Sequence, residues 1–390
     1  MARTPHQTHC PSLQDNPCGK GLILTTLALL TLGVVMVHSA VASVAEPGPW
    51  YARVDIRHTA FAIVAAGVLA VLWRFDYRRL ADGEKFPRVA GLFLGLGLIC
   101  GVLVFVPGVG FAKGGYYRWI RIGPAQYSIG FQPSELIKLA LVVFLAAWLS
   151  RESVNPRSFK KAFLPAMGLI GLCAALVVTQ DFGTAMIIGV SAAVTLILAG
   201  VPWYYLASFI PVVAGGFYAF VVQSPHRWAR ITAMLDPWSL DNPSAYQARQ
   251  SLLAILTGGW TGKGVGRGTL KLGFLPEDST DFIFSVFCEE WGFVGAMMLM
   301  GLVLVWIFLA RRAARQASDR FAAVLAGSLG FLIAFQAVMH IAVDVVVLPP
   351  TGMSMPFISA GGTSLLLMSA ATAMIVSVTA HRDELSRNGF

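Results

Sequence analysis

About ten apolar runs, each separated from the next by polar or charged residues, set the rhythm of the chain. They fall at roughly 21–42, 58–74, 89–106, 134–150, 163–180, 183–200, 205–222, 282–310, 321–345 and 361–380. A helix needs about 20 apolar residues, rising 1.5 Å each, to cross a hydrocarbon core. The pattern therefore predicts an all-α polytopic membrane protein with about ten transmembrane helices. Several runs are short, and the hairpin around Gln180, Asp181 and Gly183 is tight enough to fit roughly nine to eleven spans. Residues 1–20 and 381–390 are left as tails, with the membrane domain over 21–380. Between the seventh run and the eighth, residues 223–281 form a long segment rich in Gly, Pro and Trp. Structureless loops beyond about 15 residues are uncommon. The apolar stretches Ala229–Trp238 and Ser251–Thr257 predict a folded cap with short or interfacial helices.

Charge gives the pattern a direction. With the N-terminus inside, the inner loops and tails collect Arg74, Arg78, Arg79, Lys85 and Arg88, then Arg151 to Lys161, then Arg311 to Arg320. The short outer loops hold only Arg53, Arg57, Lys113, Arg118 and Arg121. Basic residues concentrate on the cytoplasmic side of short loops, so both termini are expected there. Residues 112–133, 223–281 and 349–361 are then extracytoplasmic. The small residues of His38–Ala45 loosely resemble a signal-peptidase site. The run before them is long for a signal segment and is preceded only by Arg3 and Lys20, which favours a retained first helix.

Composition agrees with the spans. Of 390 residues, 56% are hydrophobic and 13% charged, against about 25% charged in a typical soluble domain. The net charge of +9 comes without a long basic tract, so nucleic acid is not an expected partner. Cys10 and Cys18 lie near the N-terminus, the other cysteines sit in apolar runs, and no Cys/His spacing makes a metal site. No cofactor is evident, and a divalent-cation dependence stays open.

Polar residues inside apolar runs are costly and face a bundle interior, a wet cavity or a partner. Asp281, Ser285 and Glu289 share one helical face at four-residue spacing, with Glu290 beside them. Asp281 suits either a helix cap or a general base at the membrane boundary. Glu289 and Glu290 suit structural ion pairs. Glu135 and Lys138 follow Pro133 as an i,i+3 pair, which reads equally as a satisfied ion pair or a substrate contact. Gln336, His340 and Asp344 form a polar stripe, with His340 and Asp344 expected to hydrogen-bond. Arg118, Trp119 and Arg121 offer phosphate donors and a ring for sugar or lipid, or else interfacial anchors. The glycines around Lys263 do not make a phosphate loop of the Walker type.

Phe131–Leu136 and the segment 281–292 make the chain resemble the shape, elongation, division and sporulation family, the FtsW and RodA polymerases of bacterial cell wall. Arg118-Trp119, Asp181–Ala185, Arg230-Ile231, Leu235–Trp238, Tyr246–Ser251, Phe274–Phe284, Glu289–Gly292 and Pro356–Ser364 extend the likeness over nearly the whole chain. The resemblance implies ten transmembrane helices and a peptidoglycan glycosyltransferase that uses lipid II outside the bacterial cytoplasmic membrane. It maps an essential aspartate onto Asp281 and an important tryptophan onto Trp119. It also implies a class B penicillin-binding transpeptidase as partner, with other divisome or elongasome membrane proteins. The Leu-Asp-Pro-Trp and Tyr-Gln patterns lean towards the septal FtsW branch. Departures from the family pattern are Gln180 for Pro, His340 and Asp344 in place of an Asn-rich motif, Ala245 for Gly, Ala360 for Tyr, and a few extra residues between Trp119 and Phe131.

In the leading reading, lipid II is the donor and lipid II or a lipid-linked glycan the acceptor. Asp281 takes the acceptor hydroxyl proton, and Arg118, Arg121 or Lys263 stabilises the departing pyrophosphate. The alternatives are an elongation polymerase of the RodA type, a lipid II flippase and a non-catalytic division scaffold.

Overall fold

The computed structural model describes residues 16–42, 50–83, 86–113, 115–123 and 129–387. Most of the predicted N-terminal tail, the stretch following Ala42, the insert at 124–128 and the last three residues lie outside the described residues.

Every predicted apolar run is helical. The helices are α1 (Pro17–Val41), α2 (Val54–Leu72), α3 (Arg88–Leu103), α4 (Pro133–Leu149), α5 (Leu164–Val178), α6 (Phe182–Leu198), α7 (Trp203–Ala207) and α8 (Ile210–Phe217). They continue with α9 (Pro225–Leu235), α10 (Pro243–Gly258), α11 (Ile283–Arg315), α12 (Arg320–Asp344) and α13 (Gly362–Arg387). Among the described residues, seven segments are long and apolar enough to cross a membrane, including Phe159–Val178 and Trp203–Val222, the latter containing α7 and α8. The α3 and α6 helices are shorter apolar helices. At 1.5 Å per residue, the 16-residue α3 reaches roughly 24 Å, somewhat less than a 30 Å core. α4 is buried along nearly its whole length, so protein rather than lipid surrounds it.

Local chemistry sets the helix starts. The Asn16 side chain accepts from Gly19 N at 2.8 Å, with Pro17 opening α1. Asp181 takes Thr184 N at 3.0 Å and Asp319 takes Ala322 N at 2.8 Å. α1 is part of the core: Leu22, Met36 and Val37 are fully buried, and Trp306 of α11 donates to Thr26 at 3.0 Å. Removing α1 would uncover these side chains, which fits a retained helix. At its other end, α13 runs on to Arg387, past the expected boundary at 380.

Two features depart from a purely helical pattern. Residues 110–131 form a three-stranded antiparallel sheet, β1 (Gly110–Lys113), β2 (Tyr116–Ile122) and β3 (Ile129–Phe131), with Trp119 opposite Phe111. The segment 223–281 folds as α9 and α10 followed by a glycine-rich run, as its apolar stretches predicted. Sheet, cap and the 345–361 segment meet at one end of the bundle. There Arg118 Nε donates to Gln180 O at 2.7 Å, Arg230 Nη1 to Pro350 O at 3.1 Å, and Ala360 N to Ser279 O at 2.9 Å.

Candidate active site

Asp281 stands two residues before α11, whose N-cap position is Phe282 and carries no side-chain cap. Helix capping is nevertheless supplied, by Asp344 of α12: its Oδ2 accepts from Ser285 N at 3.0 Å and Ser285 Oγ at 3.1 Å. The first turn of α11 is thus held by a carboxylate from another helix. The turn before it is strained. Glu277 adopts φ 54°, and its carbonyl collects the amides of Thr280, Asp281 and Phe282. A non-glycine residue in that region costs about 1 kcal/mol or more and persists where its surroundings impose it.

Asp281 opens onto a polar cavity of about 460 Å³. Arg118, Trp119, Glu135, Arg230, Gln247 and Gln336 line it, with Glu277, Thr351, Gly352, Thr363 and Ser364. A Cβ placed on Gly352 would lie 3.4 Å from Asp281 Oδ2 and 3.8 Å from Arg118 Nη1, so carboxylate and guanidinium converge over bare backbone. Arg118 also lies 3.7 Å from Asp181 Oδ2. Burial, then the charge of Arg118, lowers the pKa of Arg230. Burial and the neighbouring Arg230 and Arg227 lower that of His226. Two guanidinium groups held this close make a site that favours an anion.

A second cavity of about 320 Å³ shares Tyr116, Arg118, His226, Arg230, Pro350 and Thr351 with the first. Its remaining walls are mostly apolar: Phe182, Met186, Phe217, Val221, Ile231, Met234, Met339 and Val347. The arginines thus stand at the junction of a polar chamber and a greasy groove.

Deep in the chamber, Lys138 Nζ bonds Glu135 Oε1 at 2.8 Å and Gln336 Oε1 at 2.5 Å, while Gln336 Nε2 donates to Ser354 O at 2.9 Å. Glu135 Oε2, Thr351 Oγ1 and Ser364 Oγ are buried without a hydrogen-bond partner. Buried polar groups are normally paired, so these atoms are acceptors and donors available to a polar ligand. Gln180 at the departure from the family pattern has a visible use, since its Oε1 accepts from Tyr117 N at 2.9 Å and ties β2 to the turn before α6.

Other candidates stand elsewhere. Lys263 bonds Glu289 at 2.6 Å and Thr269 at 3.0 Å, and it does not line the cavity of Asp281. Glu289 and Glu290 are fully buried and paired with Lys263 and Lys271. Ser285 faces Asp344 and Ser251, the last at 2.6 Å. Arg121 packs over Phe111, 5.0 Å from the ring centre, outside both cavities. His340 and Asp344 are 3.7 Å apart, too long for the expected hydrogen bond. His340 Nδ1 instead pairs with Met353 O at 2.7 Å, and Asp344 Oδ2 is taken by Ser285 at the start of α11.

Arg230, His226, Gln247 and Glu277 were not singled out as site residues by sequence reasoning. Arg230, Gln247 and Glu277 carried a signal only as members of the Arg230-Ile231, Tyr246–Ser251 and Phe274–Phe284 blocks, and His226 carried none. Among the described residues no group of His, Cys, Asp and Glu is arranged to hold a metal ion.

A family model described as a cell cycle protein, covering FtsW, RodA and SpoVE, matches residues 20–384. The chain is similar to a probable peptidoglycan glycosyltransferase FtsW of Thioalkalivibrio sulfidiphilus, 36% identical over 370 residues, covering 93% of this chain and 89% of the relative. It is 34% identical to stage V sporulation protein E of Bacillus subtilis over 363 residues, 92% of this chain and 96% of the relative. Among solved structures, a chain of a peptidoglycan synthase complex that coordinates polymerization and crosslinking superposes with a TM-score of 0.73 at 26% identity, covering 93% and 98%. The rod shape determining protein RodA of Thermus thermophilus gives 0.65 at 26% identity, covering 93% and 96%.

Proposed function

The chain belongs to the FtsW, RodA and SpoVE family of cell cycle proteins, and from that membership and the cavity around Asp281 we infer how it works as a peptidoglycan glycosyltransferase of cell division. Its substrate is lipid II, and it is a multi-pass membrane enzyme. The observation that carries the mechanism is the junction itself. A carboxylate borders a polar chamber, an apolar groove adjoins it, and Arg118 with Arg230 line both.

On this reading the groove holds the lipid tail of the donor and the two arginines hold its diphosphate. Asp281 removes the proton from the acceptor N-acetylglucosamine hydroxyl. The resulting oxygen attacks the lipid-linked anomeric carbon, the bond to the diphosphate breaks, and undecaprenyl pyrophosphate leaves with the electron pair. Attack from the face opposite the leaving group turns an α linkage into a β linkage. A positioned base contributes about 10²–10⁴-fold, and fixed cations add stabilisation of the developing diphosphate charge. Trp119, at the chamber wall, offers a ring for sugar packing. Glu135 Oε2, Thr351 and Ser364 offer hydrogen-bond partners to sugar or peptide polar groups.

The relatives named FtsW favour the division role over elongation. The distribution of basic loops supports both termini in the cytoplasm and chemistry on the other side of the bacterial cytoplasmic membrane, at the septum. Similarity to a chain in a complex that joins polymerization to crosslinking supports a class B penicillin-binding transpeptidase as partner, within a larger division assembly. The test is reconstitution of the purified chain with such a transpeptidase and lipid II. Glycan strands with release of undecaprenyl pyrophosphate are expected. Transbilayer movement of lipid II without polymer would establish a flippase instead.

A further inference from the structure

α11 is not one helix. Gly292 has φ 67° and ψ −168°, and the break it makes is filled by the loop that follows α10. Across the gap Lys263 N and Gly264 N donate to the carbonyls of Glu289 and Glu290 at 3.0 Å each. In return Phe293 N and Val294 N donate to Gly259 O and Trp260 O at 2.9 and 3.1 Å. Backbone bonds that the helix lost are thus remade by the loop. The approach is close enough that a Cβ on Gly262 or Gly292 would overlap the opposing backbone.

The side chains flanking the break hold the same loop. Glu289 accepts from Thr269 N at 2.9 Å, Leu270 N at 3.2 Å and Lys263 Nζ at 2.6 Å. Glu290 accepts from Gly266 N at 3.1 Å, from Lys271 Nζ at 2.7 Å and from Ser39 Oγ of α1 at 2.7 Å. Lys271 is 1% exposed and also donates to Ser39 O at 2.7 Å. Buried ions inside a membrane bundle are expensive unless fully paired and commonly mark function. These pairs lie outside the cavity of Asp281.

The outer half-helix Ile283–Trp291 begins two residues after Asp281 and ends beside the clamped carboxylates. The loop is therefore fastened to one short rod at both ends: at Glu289 and Glu290 near its start, and at Asp281 where it finishes. We propose that Glu290 and Lys271, joined through Ser39, are positioning residues that hold the 262–281 loop against the broken α11 and thereby set the place of the Asp281 carboxylate. The proposal rests on the reading of Asp281 as base, but its mechanical part stands apart from it.

The test uses the full chain with its transpeptidase in lipid nanodiscs, and three variants: Ser39→Ala, Lys271→Met, and Lys271→Met with Glu290→Gln. Ser39→Ala removes only the shared hydroxyl, and the double variant replaces both charges by neutral groups of similar shape, so folding survives even where Lys271→Met alone leaves a buried charge unpaired. In lipid II polymerisation the folded variants are expected to lose about fivefold or more in kcat with KM unchanged, and to move the acid limb of the kcat–pH profile. A folded variant with the wild-type kcat and acid limb overturns the proposal, as does a rate that falls only with the folded fraction. Amide exchange gives the answer without any enzymology. Residues 277–282 of Ser39→Ala should exchange about tenfold faster, with α4 unchanged; unaltered exchange there refutes the clamp whether or not the chain polymerises lipid II.

Discussion

Gly362–His381 and Trp203–Val222 are both 20-residue apolar spans of nearly equal mean hydropathy, yet 83% of the first and only 6% of the second is buried in protein. Their residues explain the difference. α13 presents Ser364, Ser369, Ala371, Thr372, Ala373 and Ser377, small side chains that let neighbouring backbones approach. The other span carries Trp203, Tyr204, Ile210, Val212, Val213 and Tyr218, all exposed and suited to lipid. It is also interrupted between α7 and α8, and ends in a π turn at Tyr218–Val222. The two spans serve different sides of the site. α13 and its leading turn supply Gly361, Thr363 and Ser364 to the polar chamber, whereas the loose span supplies Phe217 and Val221 to the apolar groove. On the proposed function, chemistry belongs to the packed wall and lipid entry to the poorly packed one, the segment expected to open at lowest free-energy cost.

The comparison breaks most visibly at the junction between the two walls. Arg118→Ala or Arg230→Ala should lower kcat/KM for lipid II by about 100-fold, since each removes a cation from the proposed diphosphate site. Each change should leave the helical signal intact. Lysine at either position should restore only part of the rate, because a point charge does not replace a planar fork. Equal activity of the alanine variants would remove the anion site from the mechanism.

Restraining the loose span is the next test. With the five native cysteines replaced, cysteines at Phe217 and Phe182 bridged by a cleavable bifunctional reagent should slow turnover about tenfold, with recovery on cleavage. The two rings already touch, 6.3 Å apart. A bridged enzyme at full rate would show that the groove need not open.

On the packed side, His340→Ala should lower stability by about 1–3 kcal/mol, because Met353 O, beside the chamber, loses its buried partner. The lipid-exposed Leu92→Ala change should stay within about 0.5 kcal/mol. Thermal unfolding in matched detergent compares them, and equal losses would contradict the packed-wall assignment.

Much of this organisation was legible from the residues. Long apolar runs have a strong, local signature, and each one folds as a helix. Asp281 was legible as a candidate because it closes a polar run where a long apolar helix starts. What escaped depended on contacts far apart in the chain. Lys263 reads as an exposed basic residue until Glu289, 26 positions away, is seen to take it. Asp344 reads as the partner of His340 four residues earlier, but the first turn of α11 claims its carboxylate. In the small sheet at 110–131 the two outer strands have four and three residues, and the central one, Tyr116–Ile122, does not alternate apolar with polar positions.

The smallest effect tests the strained turn beside the base. Burial raises the pKa of Asp278 to about 6 from an ordinary value of 3.8. The native state then holds its proton more tightly than the unfolded chain, so stability falls as pH rises from about 4 to about 6. Asp278→Asn should therefore stabilise the protein at pH 7.5 by about 1 kcal/mol after allowance for partial solvent exposure, with the gain gone near pH 4. A thermal-unfolding series over that range reads it, and a gain independent of pH would assign the effect to something other than this carboxyl.

The central claim is that Asp281 acts as a base and not as a structural group, and polymerisation of lipid II by Asp281→Asn tests it most directly. Asparagine keeps the size and hydrogen-bonding reach of the side chain but cannot accept a proton at neutral pH. In complex with the transpeptidase, the variant should fold, bind its partner and melt within a few degrees of the wild type. Its glycan synthesis should fall by about 100-fold or more. Near-normal glycan from a well-folded Asp281→Asn complex would contradict the account, and the chemistry would then have to be sought elsewhere in the chamber.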